Sequence, residues 1–204
     1  YIKTTLLLIE GDILAIRIFI DQGHNPIGYH NSGAEGNGIY ESDINYMVGR
    51  YLADLLAADP RFEVRTSRTT PTEVLGTDNL SSLNERVNMA NEWPADYFIS
   101  IHVNANENPN INGSEVYVAS LYSESYWLGD DILREIVRRL GTQNNGIIIN
   151  PTLYVLRRTN MPAILVELAY ITNASDAWKL ANQQYAFAYA IYSGLLNYFG
   201  LSPL

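Results

Sequence analysis

Cysteine is absent from the sequence, so the chain can hold no disulfide, no thiol nucleophile and no cysteine-ligated zinc or iron–sulfur centre. Any metal must then be held by His, Asp or Glu, and only three histidines exist: His24, His30 and His102. Basic residues are also scarce, 13 Lys and Arg against 22 Asp and Glu, which leaves a formal charge of −9. Arg138-Arg139 and Arg157-Arg158 fall far short of the basic stripe that binding to a phosphate backbone needs, and nucleic acid is excluded as a partner. Long apolar runs are missing too. Residues 5–20, the most apolar part of the opening segment, are broken by Glu10, Asp12 and Arg17. They read neither as a membrane span nor as a signal peptide, having no basic leader and no small-residue cleavage site.

What is present is a chain of 204 residues, the size of one ordinary domain, rich in tyrosine and so unlike a disordered segment. Short β-rich runs alternate with helical periodicity. Strands are predicted at 16–21, Phe62–Thr66, 96–103, 114–119, 153–156 and 163–168, the run at 96–103 apolar enough to lie at the centre of a sheet. Helices are predicted at 40–58, from Ser81 or Ser82 onward with Ser82 and Glu85 spaced as a capping box, at 126–140 with Gly141 as C-cap, and at Gln184–Phe199, ended by Gly200. The pattern predicts a single three-layer α/β domain over residues 16–204, a mixed and mostly parallel sheet flanked by helices on both faces. Residues 1–15 form an N-terminal extension, read as a hairpin of 2–10 with 13–16 around Gly11-Asp12.

Active sites of open α/β sheets gather just past the carboxyl ends of the strands. There the sequence places Asp21-Gln22-Gly23-His24, Ser100-Ile101-His102 and Val166-Glu167-Leu168, while Glu41 opens the helix that follows the His24 loop. Two neutral imidazoles and a carboxylate make the ligand set of a catalytic zinc site, and a second carboxylate is needed to move the proton of the attacking water. Glu167, set in an apolar strand, suits that second role, since an unpaired carboxylate there must neutralise or find a partner. Taken singly, each residue has a blander reading: a hydrogen-bonding histidine, a carboxylate favoured by a helix N-terminus, or a Glu167–Arg86 ion pair. Convergence on one sheet edge sets the four apart.

The segments Ile20-Asp21-Gln22-Gly23-His24, Glu41-Ser42-Asp43, Leu83-Asn84-Glu85-Arg86-Val87-Asn88-Met89-Ala90-Asn91, Ser100-Ile101-His102-Val103-Asn104-Ala105 and Pro162-Ala163-Ile164-Leu165-Val166-Glu167-Leu168 stand in order along the chain. Through them the sequence resembles the zinc-dependent N-acetylmuramoyl-L-alanine amidases of the Amidase_3 type, the catalytic domains of autolysins, spore-cortex enzymes and phage endolysins. The resemblance implies one zinc ion held by His24, Glu41 and His102, with Glu167 as catalytic carboxylate. It also implies hydrolysis of the lactyl–L-alanine amide of peptidoglycan, by a monomer acting outside the cytoplasm at the cell wall, in the periplasm or after phage delivery. With its net charge of −9, the domain is expected to leave wall attachment to flanking domains. Two rival readings stay open, a zinc peptidase acting within the stem peptide and a regulated or inactive wall-binding module. Arg86 is read as structural, holding Asp96 or a loop. The chain departs from the family at Asn25-Pro26, where a second glycine is usual, at a slightly long loop containing His30, and at Ala169-Tyr170 in place of Gly-Phe.

Overall fold

A computed structural model describes residues 15–204, together with the backbone of two short strands, β1 (Leu8–Ile9) and β2 (Asp12–Ile13). These two pair antiparallel, Leu8 with Ile13 and Ile9 with Asp12, inside the segment read as a hairpin. The rest of that expected hairpin lies outside the described residues.

The chain then runs through β3 (Ile16–Gln22), the small pair β4 (Glu35–Gly36) and β5 (Ile39–Tyr40), α1 (Glu41–Ala57), β6 (Phe62–Thr66) and α2 (Asn79–Glu92). It continues with β7 (Tyr97–Asn104), β8 (Ser114–Val118), α3 (Glu124–Leu140), β9 (Asn144–Ile149), α4 (Tyr154–Arg158), β10 (Ala163–Tyr170), α5 (Ala174–Asn182) and α6 (Gln184–Phe199). Six strands form one sheet in the order β6-β3-β7-β10-β8-β9. Pairing is parallel from β6 to β10, antiparallel between β10 and β8, and parallel again between β8 and β9. The mixed, mostly parallel sheet expected from the sequence is thus present, with β7 and β10 at its centre.

Alternation along the strands divides the core in two. Ile18, Ile20, Ile99, Ile101, Val116, Ile164 and Val166 face α1, α3 and α6 in the larger cluster. Phe19, Phe98, Ala163 and Leu165 face the opposite way, onto Val87 and Ala90 of α2 and Val155 and Leu156 of α4. Phe19 and Phe98, register partners on β3 and β7, stack with ring centroids 5.7 Å apart. Both faces are therefore covered, which is why the central strands read as continuous apolar runs.

Two local expectations need correction. Residues 153–156 are not a strand: Tyr154–Arg158 is a short helix, entered through a turn in which Asn150 Oδ1 accepts the Thr152 N–H. A four-residue apolar run carries no period that separates the two states. The strand at that edge is β9, whose Ile147-Ile148-Ile149 run follows Gly146 at φ +88°. The capping box of α2 belongs to Asp78 and Ser81 rather than Ser82 and Glu85: Asp78 Oδ1 takes the Ser81 N–H at 2.8 Å and Ser81 Oγ takes the Asp78 N–H at 2.9 Å. Glu85 instead accepts the Gly76 N–H. The caps at Gly141 and Gly200 hold as expected, both in the left-handed conformation.

α3 and α6 cross at Gly194, where an added Cβ would stand 2.5 Å from Ile132 Cα. Gly194→Ala must therefore push the two helices apart, and chemical denaturation should show a loss of about 1–3 kcal/mol.

Candidate metal and active site

The site is built on the α2 face of the sheet, beyond the end of its apolar packing. Register makes His102 the neighbour of Glu167, and Glu167 the neighbour of Glu115, so these three residues form one row across β7, β10 and β8. One step below them, Asp21 lies beside Ser100. His24 follows β3 and adopts φ +71°, a left-handed conformation uncommon for a side chain of its size.

Glu41 is carried to this edge by a tight hairpin. Asn37 at φ +51° and Gly38 at φ +77° form the Asn-Gly turn between β4 and β5 that right-handed strand twist favours. Asn37 Nδ2 donates to Ile171 O at 2.8 Å, which docks the hairpin on the chain just past β10. Glu41 is then the first residue of α1, where a carboxylate meets the positive end of the helix. Its Oε2 accepts the Ala34 N–H at 2.8 Å, and its Oε1 accepts the Val103 N–H at 3.1 Å and the Asn45 amide at 3.3 Å.

The same Oε1 lies 3.0 Å from His24 Nε2 and 3.0 Å from His102 Nδ1. His24, Glu41 and His102 each offer one ligand atom, all within 4.8 Å of one another. On His24, Nδ1 faces Asn31, whose backbone and side-chain oxygens both sit 3.1 Å away, so Nδ1 carries a proton and Nε2 is left turned towards Glu41. Space is made by glycine. A Cβ on Gly23 would fall 2.5 Å from the His102 ring, and one on Gly33 would fall 2.7 Å from both Glu41 Oε2 and the His24 ring. Burial alone would raise the Glu41 carboxyl, but hydrogen bonds from His102 and His24 hold it far below the usual carboxylate range. Burial opposes the charged form of His24, yet the hydrogen bond to Glu41 and its charge outweigh this and raise the imidazole. Imidazole nitrogen with carboxylate oxygen, arranged to share one positive charge, is a donor set that fits a divalent ion of the zinc type.

Two buried arginines lie behind the imidazoles. Arg86 donates to Asp21 Oδ1 at 2.6 Å, to Gln22 O at 2.7 Å and to His24 O at 2.7 Å. Burial favours the neutral acid at Asp21, but the Arg86 charge and hydrogen bond keep it ionised, with Ser100 Oγ donating to its other oxygen at 2.8 Å. Arg68 adds bonds to His24 O at 3.3 Å and Ser42 O at 3.2 Å. Arg86 thus holds Asp21, whereas Asp96 pairs with Arg17 at 3.1 Å and Glu167 with neither arginine. His30 lies apart from the imidazole pair: its Nε2 sits 3.0 Å from Asn25 Nδ2 and 3.2 Å from Leu75 O, pinning the loop.

Glu167 Oε2 is buried and has no hydrogen-bond partner among the described residues. Burial, then the charges of Glu41 and Glu115, push its carboxyl well above the ordinary value. Glu115, beside it, is buried and bonded by neutral donors alone: Asn104 Nδ2 at 2.7 Å and Tyr117 OH at 2.8 Å on Oε1, Tyr170 OH at 3.2 Å on Oε2. All four residues singled out from the sequence are therefore brought to one place. Asn31, Arg68 and Glu115 were not foreseen. Arg68 follows the end of β6 much as His24 follows β3, a signal within reach. Glu115 opens an antiparallel strand, so its amino end, not its carboxyl end, meets this edge.

Comparison with known proteins gives a consistent picture. The family model described as N-acetylmuramoyl-L-alanine amidase, Amidase_3, matches residues 18–197. The N-acetylmuramoyl-L-alanine amidase LytC of Bacillus subtilis is 37% identical over 195 residues, 94% of this chain but only 37% of LytC, so the chain spans little more than a third of that relative. The crystal structure of an N-acetylmuramoyl-L-alanine amidase from Clostridium difficile 630 superposes with TM-score 0.80 at 32% identity, covering 93% of this chain and 99% of that one. AmiC2 of Nostoc punctiforme gives 0.78 at 32% identity over 91% of this chain and 97% of its own.

Removing Arg86 leaves the Asp21 charge buried without its partner, so Arg86→Met is expected to cost about 3–5 kcal/mol in urea unfolding. Glu167 has the opposite signature. The native state keeps its proton above the pH near 4.3 at which the unfolded chain releases it, so this residue lowers stability as pH rises through that window. In chelator-treated protein, Glu167→Gln should match the parent at pH 4 and exceed it at pH 8. The gain should be about 1.4 kcal/mol for each unit over which the proton is retained, read from urea midpoints at the two pH values.

Proposed function

The chain belongs to the Amidase_3 family of N-acetylmuramoyl-L-alanine amidases, and from that membership we propose that it hydrolyses the amide between the lactyl group of N-acetylmuramic acid and the L-alanine of the stem peptide. The observation that carries this reading is the meeting of His24, Glu41 and His102 beside a carboxylate, Glu167, that has an unpartnered oxygen.

We assign the metal to zinc, which His24, His102 and Glu41 would hold, a donor set of the kind found in catalytic rather than structural zinc sites. When bound, such an ion supplies Lewis acidity that polarises a carbonyl oxygen and brings the pKa of water down towards about 7. Glu167 accepts the proton of the attacking water and passes it to the amide nitrogen as the C–N bond breaks, so that the L-alanine peptide leaves as an amine. Its raised pKa suits a group that must hold a proton between those two transfers. Asn31 fixes the tautomer of His24, while Arg86 and Arg68 fix its backbone. Peptidoglycan as substrate places the reaction outside the cytoplasm, and no helix among the described residues is long and apolar enough to cross a membrane. The domain acts as a monomer, with attachment to the wall supplied by other domains.

Glu167→Ala should retain stoichiometric zinc and lose at least about 100-fold in turnover, as expected for a general base and acid. His102→Ala should lose the metal itself, seen by elemental analysis. Chelation should abolish, and added zinc restore, release of peptides with L-alanine at the amino terminus from purified muropeptides. Products cleaved inside the stem peptide would instead identify a peptidase.

A further inference from the structure

Beyond Glu167 the row of site residues continues to Glu115 and then into a hollow of about 290 Å³ lined by Asn110, Asn112, Gln143, Asn145, Glu115 and Tyr170. Apart from Glu167, every other buried carboxylate among the described residues has a compensating partner. Asp21 faces Arg86, Asp59 faces Arg61 and Glu135 faces Arg138 and Arg139. Glu41 lies between two imidazoles, and Asp176 sits in the first turn of α5 with the Gly113 and Tyr170 N–H groups on one oxygen. Glu115 has neither a cation nor a helix end. An ionised carboxylate offers about four acceptor positions. On Glu115 Oε1 takes two donors, from Asn104 and Tyr117, while Oε2 takes one, from Tyr170, and Glu115 is among the residues that line the hollow. A buried carboxylate whose three donors are all neutral, in a hollow where four side-chain amides outnumber Ile111 and Tyr170, suits a cationic donor.

We propose that the hollow beside Glu115 is a subsite for a primary ammonium group carried by the peptide that leaves in the reaction. The inference rests on the amidase reading of the neighbouring site, because that reading makes the released group a peptide. Opposed residues in antiparallel strands have Cβ atoms about 5 Å apart, so the hollow begins within one or two peptide residues of the bond that Glu167 serves. The Glu115 carboxylate and the amide carbonyls accept from the ammonium, while Tyr170 and Tyr117 stay protonated and keep donating. Burial and the Glu115 charge raise both phenols, Tyr170 to about 12.

The test is calorimetric titration of the zinc-loaded chain with two synthetic tripeptides that begin with L-alanine and carry lysine third, one with its side-chain amine free and one with it acetylated. The free-amine peptide should bind about 10-fold more tightly, the worth of one charge-assisted hydrogen bond, and Glu115→Gln should erase the difference. Gln143 is exposed at the rim, so Gln143→Lys tests the same point without touching the core: its tethered ammonium should also erase the preference. Equal binding of the two peptides by the parent chain, or a preference that survives both substitutions, overturns the subsite. Hydrolysis of muropeptides is followed separately. Cleavage without amine preference removes the subsite and keeps the amidase reading, and amine preference without cleavage does the reverse.

Discussion

Arg86 reaches from α2 to three consecutive stretches of backbone and side chain at the end of β3, and the position of the His24 ring follows from that reach. Its guanidinium neutralises Asp21 and holds the carbonyls of Gln22 and His24. The positive φ of His24 is costly for a residue with a side chain, on the order of 1–3 kcal/mol, and persists only where surrounding bonds over-determine it. Arg68 adds a second grip on the same carbonyl. No carboxylate among the described residues bonds its guanidinium, and burial followed by the nearby charge of Arg86 lowers its pKa to about 10. Two desolvated cations thus lie behind a cluster whose front is acidic. This arrangement lets the carboxylates of the site gather without mutual expulsion.

Alternation along the strands does the rest. On one face of the sheet Ile18, Ile20, Ile99, Ile101, Val116, Ile164, Val166 and Leu168 pack into the larger core, and this face serves stability. On the other, the first residues of each strand pack on α2 and α4 as Phe19, Phe98 and Leu165, and the last become Asp21, His102 and Glu167. A change of register by one residue would send His102 and Glu167 into the helical core behind the sheet. Fold and chemistry are therefore specified by the same pairing.

Much of this was legible in the sequence because strong periodicity and strand ends are local signals. His24, His102 and Glu167 lie at or beside the ends of apolar runs, and Glu41 follows an Asn-Gly turn and opens a periodic helix, so position along the chain already implied position in space. What was not legible depends on contacts distant in sequence. Arg86 binds Asp21 across 65 residues, and nothing local distinguishes Asp21 from Asp96 as its partner. Glu115 escaped for a topological reason: the reversal of β8 turns a strand start into part of the catalytic edge, which no reading of carboxyl ends can anticipate. The short helix α4 escaped because four apolar residues fit either state until the sheet has chosen its edges.

The loop between His24 and Glu41 is tethered at both ends and free in the middle. Asn25 exchanges two hydrogen bonds with the backbone of Leu75, 3.0 Å each, and the β4–β5 hairpin is fastened to Ile171, while residues 27–29 stand exposed. Gly28, at φ +90°, has nothing near its missing side chain. Changes of length or sequence at that tip are absorbed before they reach either ligand. Pro26 and His30 bracket that tip, Pro26 buried and His30 bonded to Asn25 and Leu75, so the exposed residues project from a closed base while the reaction centre stays as it is.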